Sequence, residues 1–295
     1  MMKALIPEVK FSKSNRDQLE FEIFTLQSLF SRQDLLNISL EEPHRVDFYH
    51  ILFITSGEGI HHIDFQPFTF REGSILFISK GQVQAFEVTP DINGFLILFT
   101  EDFLQKYLIH SDLLSFHRLY NYYLHSPIIQ PEESDIINFR NIFGEIEQEY
   151  YAVDDFARGE ILRHLLNVIL LKAERIKRTL NPRERNSEWF KTFIFFKNNL
   201  VRNYTETRNA EDYAGQLNIS YKHLNTITKS IVGCTAKKII DNFVVMEVKR
   251  YMAVSNISIK ELTYAMGFDE PTNLVKFFKR HTSQTPSQFK KYLTC

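Results

Sequence analysis

Two sets of residues in this chain have the types and spacing for recognition chemistry. The first lies near the C-terminus, on two short segments. In Tyr221-Lys-His-Leu-Asn-Thr-Ile-Thr-Lys229 the apolar Leu224 and Ile227 must turn inward, which leaves Lys222, His223, Asn225, Thr226 and Lys229 outward or flanking. In Glu270-Pro-Thr-Asn-Leu-Val-Lys-Phe-Phe-Lys279 and the Arg280 that follows, Leu274, Phe277 and Phe278 take the inward places, and Thr272, Asn273, Val275, Lys276, Lys279 and Arg280 remain. Such groups read double-stranded DNA. Asparagine pairs with adenine through two hydrogen bonds, lysine donates to guanine O6 and N7, and a threonine methyl or a valine meets the thymine methyl. Lys229, Lys279 and Arg280, farther along their segments, suit phosphates. The second set is His44, His50, Gln84 and Phe86. With strand parity they share one inward face, where imidazoles and an amide would orient a small organic molecule against aromatic surface. Each of the four would serve equally as an ordinary packed strand residue.

The segments that carry the first set are two copies of one pattern. Leu217, Ile219, Ser220, Leu224, Ile227 and Lys229 correspond to Met266, Phe268, Asp269, Leu274, Phe277 and Lys279. The apolar members recur at helical spacing on both sides of a short break, which carries Asn218 in one copy and Gly267 in the other. Ser220 and Asp269 are N-cap residue types, and Thr235 and Thr285 can cap the helices that follow, with Pro286 at a tolerated first-turn position. Each copy therefore reads as helix, tight turn, helix. Two such second helices held about 34 Å apart reach successive major-groove turns of B-DNA. The amphipathic stretch Thr235 to Ser255, as a helix spanning about 30 Å, is the expected spacer.

Charge agrees with this division. The chain is formally -1 overall, but residues 181–295 hold 18 Lys+Arg against 10 Asp+Glu while the other 180 residues hold 17 against 26. The basic part is the part with the duplication, as phosphate attraction requires. There is no long uncharged apolar run and no signal-peptide pattern over Met1 to Pro7, so a soluble cytoplasmic protein with no membrane partner is expected. The two cysteines, Cys234 and Cys295, have neither metal nor disulfide spacing, and Cys234 has no neighbouring base to activate it.

Upstream, residues 20–100 have β texture. Strands are expected at Phe48–Ile54, Ile60–Phe65, Phe68–Phe70, Ile75–Ile78, Val83–Val88 and Phe95–Phe99, with turns at Gly57-Glu-Gly59 and Glu72-Gly73, as in a small sandwich or barrel. Residues 101–178 turn helical. Ile136, Phe139, Phe143, Ile146 and Tyr150 form one stripe, and Ile161, Leu162, Leu165, Leu166, Ile169 and Leu170 form another. The polar Arg178–Ser187, with Pro182, reads as a linker, and Trp189–Leu200 as an aromatic core helix.

Residues 187–293 resemble the DNA-binding domain of the AraC/XylS family of bacterial transcription regulators, and Gly267 to Phe289 resembles that family's signature throughout. More loosely, His44 to Phe86 resembles the cupin-like ligand-binding domain that many such regulators carry. The metal pattern of cupins is broken here: Val46 stands two residues after His44, His61 and His62 point to opposite faces, and Gln84 replaces a histidine, so no metal or other cofactor is expected. The resemblance implies an α+β two-domain protein: a cupin-like barrel with helices over residues 1–178, a linker at 179–187 and an all-α double helix-turn-helix domain over 188–295. It implies a transcription regulator, an activator answering a small organic effector, that binds promoter DNA and meets RNA polymerase. The alternative is the same regulator controlled by a protein partner or by dimerisation alone; an enzyme is the third reading. In the family a helix like that of residues 161–170 often pairs with its copy, which would place Leu162, Leu165, Leu166 and Ile169 in a homodimer contact. Packing within one chain explains them as well.

Overall fold

Runs such as Ile75-Leu-Phe-Ile78 and Ile51-Leu-Phe-Ile54 are apolar at every position because their strands are covered on both faces. The computed structural model describes residues 7–11, 19–31, 39–87, 91–105, 116, 119–120, 126–153, 156–180, 187–254 and 257–292. These fall into two compact units, one within residues 7–181 and one within 182–295.

The first unit is built from β1 (Glu8–Val9), β2 (Phe21–Thr25), α1 (Leu26–Ser31), β3 (His44–Val46), β4 (Tyr49–Ser56), β5 (Glu58–Ile63), β6 (Gln66–Arg71), β7 (Ile75–Ile78), β8 (Val83–Phe86), β9 (Asn93–Phe99), α2 (Glu101–Gln105), β10 (Ile128–Ile129), α3 (Glu133–Tyr151) and α4 (Arg158–Leu180). The strands make two five-stranded sheets, β1-β3-β8-β5-β6 and β10-β7-β4-β9-β2. Every pairing is antiparallel except β1 with β3. The expected barrel is thus a pair of facing sheets.

Between the sheets lie Val46, Leu52, Ile54, Ile63, Phe70, Ile78, Phe86 and Leu96. The other face of the second sheet, with Ile51, Phe53, Ile75, Phe77, Ile97 and Phe99, packs against Phe139, Phe143 and Ile146 of α3 and Leu162, Leu166 and Ile169 of α4. The middle layer is buried on both sides, which is why its strands lack alternation. The turn expected at Gly57-Glu-Gly59 is shorter than that: β5 already begins at Glu58, after Gly57 at φ +86°. The β5–β6 turn instead holds Asp64 and Phe65 at positive φ. Val88 lies outside the described residues.

Leu162, Leu166 and Ile169 are fully buried in this core, and Leu165 packs against it. Leu162, Leu166 and Ile169 thus pack within their own chain, with Leu165 half-buried beside them. The expected linker also starts later: Arg178, Thr179 and Leu180 still belong to α4, whose basic last turn suits a helix C-terminus, and Ser187 opens the next helix. Residues 181–186 lie outside the described residues.

The second unit contains α5 (Ser187–Asn203), α6 (Ala210–Gln216), α7 (Tyr221–Val232), α8 (Ala236–Val254), α9 (Ile259–Ala265), α10 (Pro271–Thr282) and α11 (Pro286–Tyr292). Phe190, Phe193 and Phe196 of α5 are buried, as an aromatic core helix should be. Helix α8, at 19 residues, spans about 28 Å.

Candidate functional site

The pairs α6–α7 and α9–α10 repeat one another in detail. Asn218 at φ +54° and Gly267 at φ +69° make the tight turns. Helices α7 and α10 have 12 residues each and end on left-handed residues, Gly233 and Ser283. Ser220 accepts from His223 N–H, Thr235 from Lys238 N–H and Thr285 from Gln288 N–H, so three of the expected caps are in place. The fourth is not at Asp269. The N-cap of α10 is Glu270, which makes no side-chain cap bond, and Pro271 takes the first helical turn. The second turn is one residue longer than the first, and this shifts the cap by one.

Leu224 and Ile227, like Leu274, Phe277 and Phe278, are buried. That leaves an exposed stripe of Lys222, Thr226 and Lys229 on α7 and an equivalent one of Thr272, Lys276 and Lys279 on α10. Both follow i, i+4, i+7 spacing and so lie on one side of their helices. Neither helix contains an acidic residue. Asn273 and Arg280 are exposed beside the second stripe, whereas Val275 is half-buried. The Arg280 guanidinium lies against His281 Nε2 at 3.2 Å. His223 meets Trp189 edge-on, with ring centroids 6.1 Å apart.

Asn225 does not present its amide as a reader of adenine would. Its Oδ1 accepts from the backbone N–H of Ala236 at 3.0 Å, tying α7 to the first turn of α8. A bidentate adenine contact needs that oxygen. The reason this escaped the sequence is that its partner lies beyond the helix end, in the next element.

The two motifs are also joined directly. Arg208, just before α6, donates to Met266 O at 3.1 Å and Gly267 O at 3.0 Å, and its guanidinium lies 3.8 Å from the Phe268 ring centroid. Thr205 O would be 1.7 Å from a Cβ at position 267, so only glycine fits there.

In the first unit the inward residues converge as strand parity requires. His44 and Gln84 are partners across β3–β8, His61 faces Phe86 across β5–β8, and His50 comes from the opposite sheet. They line a cavity of about 200 Å³ whose walls are otherwise largely apolar, including Leu26, Phe30, Phe48, Leu52, Phe86 and Leu96. Gln84 Nε2 lies 3.2 Å from His44 Nε2 and 3.3 Å from His50 Nδ1, while Gln84 Oε1 lies 3.0 Å from His61 Nε2. Burial holds His44 below its ordinary pKa and His50 well below it, and pushes His61 down to about 3, so all three rings are neutral near pH 7. His61 is the member that the sequence reading did not include. The alternation of β5 was the available signal, since His62 points outward and pairs with Glu87 at 2.8 Å.

A family model described as a helix-turn-helix domain matches residues 213–292, and one described as an AraC-like ligand binding domain matches residues 29–166. The chain belongs to the AraC family of transcription regulators. As an AraC-family protein it is similar over most of its length to proteins named as transcriptional activators. It is 23% identical over 251 residues to the HTH-type transcriptional activator RhaS of Klebsiella pneumoniae, covering 84% of this chain and 87% of that one. It is 21% identical over 266 residues to RhaS of Yersinia pestis, covering 85% and 89%. Among solved structures, ToxT from Vibrio cholerae O395 matches with a TM-score of 0.43 and 14% identity, over 93% of this chain and 98% of that one. AraC-family membership makes the protein a DNA-binding regulator with a ligand-binding domain. No helix among the described residues is long and apolar enough to cross a membrane.

Proposed function

We propose that this protein is a transcription activator whose second unit binds promoter DNA through α7 and α10 and whose first unit answers a small organic effector held between its sheets. The observation that carries the reading is the pair of acid-free, exposed stripes at equivalent positions of a duplicated motif. Lys222, Thr226, Thr272, Asn273 and Lys276 are the base-facing groups. Lys229, Lys279 and Arg280 serve phosphates, His223 flanks the first stripe against Trp189, and Val275 adds at most an apolar edge. His44, His50, His61, Gln84 and Phe86 hold the effector. As an activator the protein would contact RNA polymerase in the cytoplasm, with no cofactor.

The test is a binding selection on random DNA with the full chain, repeated for Lys222→Ala and Lys276→Ala. Each variant should relax the preference at its own base position, and the two positions should lie about one helical turn apart. A protein that selects no sequence, or selects a single short site untouched by both variants, refutes the reading.

A second reading, control by dimerisation, is favoured by one observation. On the face of α4 turned away from the core, Ile161, Val168 and Leu171 are about two-fifths exposed, at 39%, 39% and 41%. That face, and not the buried Leu162, Leu166 and Ile169, is where a second copy would dock. Ile161→Glu with Leu171→Glu should then turn a dimer into a monomer in light scattering without unfolding the first unit.

A further inference from the structure

The polar corner of the cavity carries more information than its size. His44 Nδ1 lies 3.0 Å from Glu42 O, which can only accept, so the His44 proton is on Nδ1 and its Nε2 is an acceptor. That orients the amide: Gln84 Nε2 donates to His44 Nε2, and its other N–H donates to His50 Nδ1. The proton of His50 is therefore on Nε2. Gln84 Oε1 accepts from His61 Nε2–H, which leaves a bare lone pair on His61 Nδ1.

The Glu42 carbonyl has thereby set one tautomer and the Gln84 amide two more, and every hydrogen-bonding nitrogen of the three rings but two is used. His50 Nε2–H, a donor, and His61 Nδ1, an acceptor, are buried and have no hydrogen-bond partner among the described residues. Both residues are 4% exposed and both line the cavity. Buried polar atoms are ordinarily paired, so an uncharged donor and an uncharged acceptor left over on two residues that line an apolar cavity mark what the ligand supplies. A carboxylate only accepts, and would set its lone pairs against that of His61. A sugar brings more hydroxyls than the walls can satisfy. The charged residues along the cavity, Lys10 and Glu22, are opposite in sign, and Lys10 is exposed. At about 200 Å³ the space exceeds the roughly 150 Å³ that holds benzene.

Resting on the effector reading above, we infer that the cavity takes an uncharged, largely apolar ring compound with a hydroxyl group, which donates to His61 Nδ1 and accepts from His50 Nε2–H. The polar corner also separates this class from a metal ion, because the lone pairs of His44 Nε2 and His50 Nδ1 are already engaged by Gln84.

The test is calorimetry on the full chain near neutral pH with four probes: naphthol, naphthalene, naphthoate and glucose. Naphthol should bind about tenfold tighter than naphthalene, as one satisfied pair of buried groups allows. Naphthoate and glucose should bind more weakly than naphthalene. His50→Phe keeps a ring to stack on Phe48, whose centroid is 4.8 Å away, but removes the donor. In that variant naphthol should lose its preference and bind no tighter than naphthalene. His61→Leu, measured in parallel, should do the same through the acceptor.

Tightest binding by naphthoate or glucose overturns the inferred class and leaves an effector site standing. Equal binding of naphthol and naphthalene to the unaltered protein also overturns it, since water then serves the two nitrogens. A naphthol preference that survives both substitutions does so too. If none of the four binds, the effector reading itself falls, and this inference with it.

Discussion

In the first helix-turn-helix motif Asn225 reaches the N–H of Ala236, and fifty positions on, in the second motif, the corresponding residues are Val275 and Pro286. Proline has no N–H, so nothing at position 275 needs to accept one. The joint that carries a hydrogen bond in the first motif carries two side chains without hydrogen-bonding groups in the second. The turns differ in the same way. Asn218 tolerates its left-handed conformation through its short polar side chain, whereas Gly267 is required because Thr205 O occupies the space of any Cβ. Two copies of one motif have kept their backbone and their apolar positions while each joint answers to its own neighbours. Between them, only the exposed stripes are free to differ for the sake of DNA.

The largest effect that would test this contrast lies at the turns. Gly267→Ala should destabilise the second unit by more than about 3 kcal/mol, from strain and overpacking together, whereas Asn218→Ala should cost about 1 kcal/mol. Denaturant unfolding followed by the fluorescence of Trp189, the single tryptophan, reads both. Equal costs would mean that the two turns are equally constrained.

Next in size is base reading. Lys276→Ala should weaken specific binding by about 1–3 kcal/mol and relax one base position, while Thr226→Ala, which loses only a methyl-type contact, should cost less. A reversed order would place the stronger reader in the first motif. At the joints, Asn225→Ala should lower stability by about 1 kcal/mol and leave base preference unchanged. Asn225→Val combined with Ala236→Pro should restore that stability, since it moves the second motif's arrangement into the first; a double variant no better than Asn225→Val alone would refute the equivalence. The smallest effect is electrostatic. Lys229→Ala and Lys279→Ala should each reduce the slope of log affinity against log salt by about 1. A normal slope in either variant would take that lysine off the phosphate backbone.

The same contrast shows what a sequence makes visible. The duplicated apolar positions, the caps at Ser220, Thr235 and Thr285 and the convergence of His44, His50, Gln84 and Phe86 all follow from local periodicity, and local periodicity is written in consecutive residues. The role of Asn225 is not, because its position on the helix fits outward display and capping alike and only the neighbouring element decides. His61 was obscured by His62, since an adjacent pair shows that one ring points in but not which. The stripe of Leu162, Leu166 and Ile169 announces an apolar face without naming what covers it, and the β-sheet of the same unit does. The shift from Asp269 to Glu270 comes from one extra turn residue, which two aligned patterns absorb without trace.

The Arg208 fork on the carbonyls of Met266 and Gly267 has a consequence for the operator. A lone helical spacer could pivot at its ends, but a guanidinium bonded across to the second turn braces the pair like a strut. One base pair added between the two contacted stretches rotates one of them by about 35° around the duplex axis. The braced protein has little play with which to follow, so the duplex must twist or bend instead, and tolerance to such insertions becomes a property of the intervening DNA sequence.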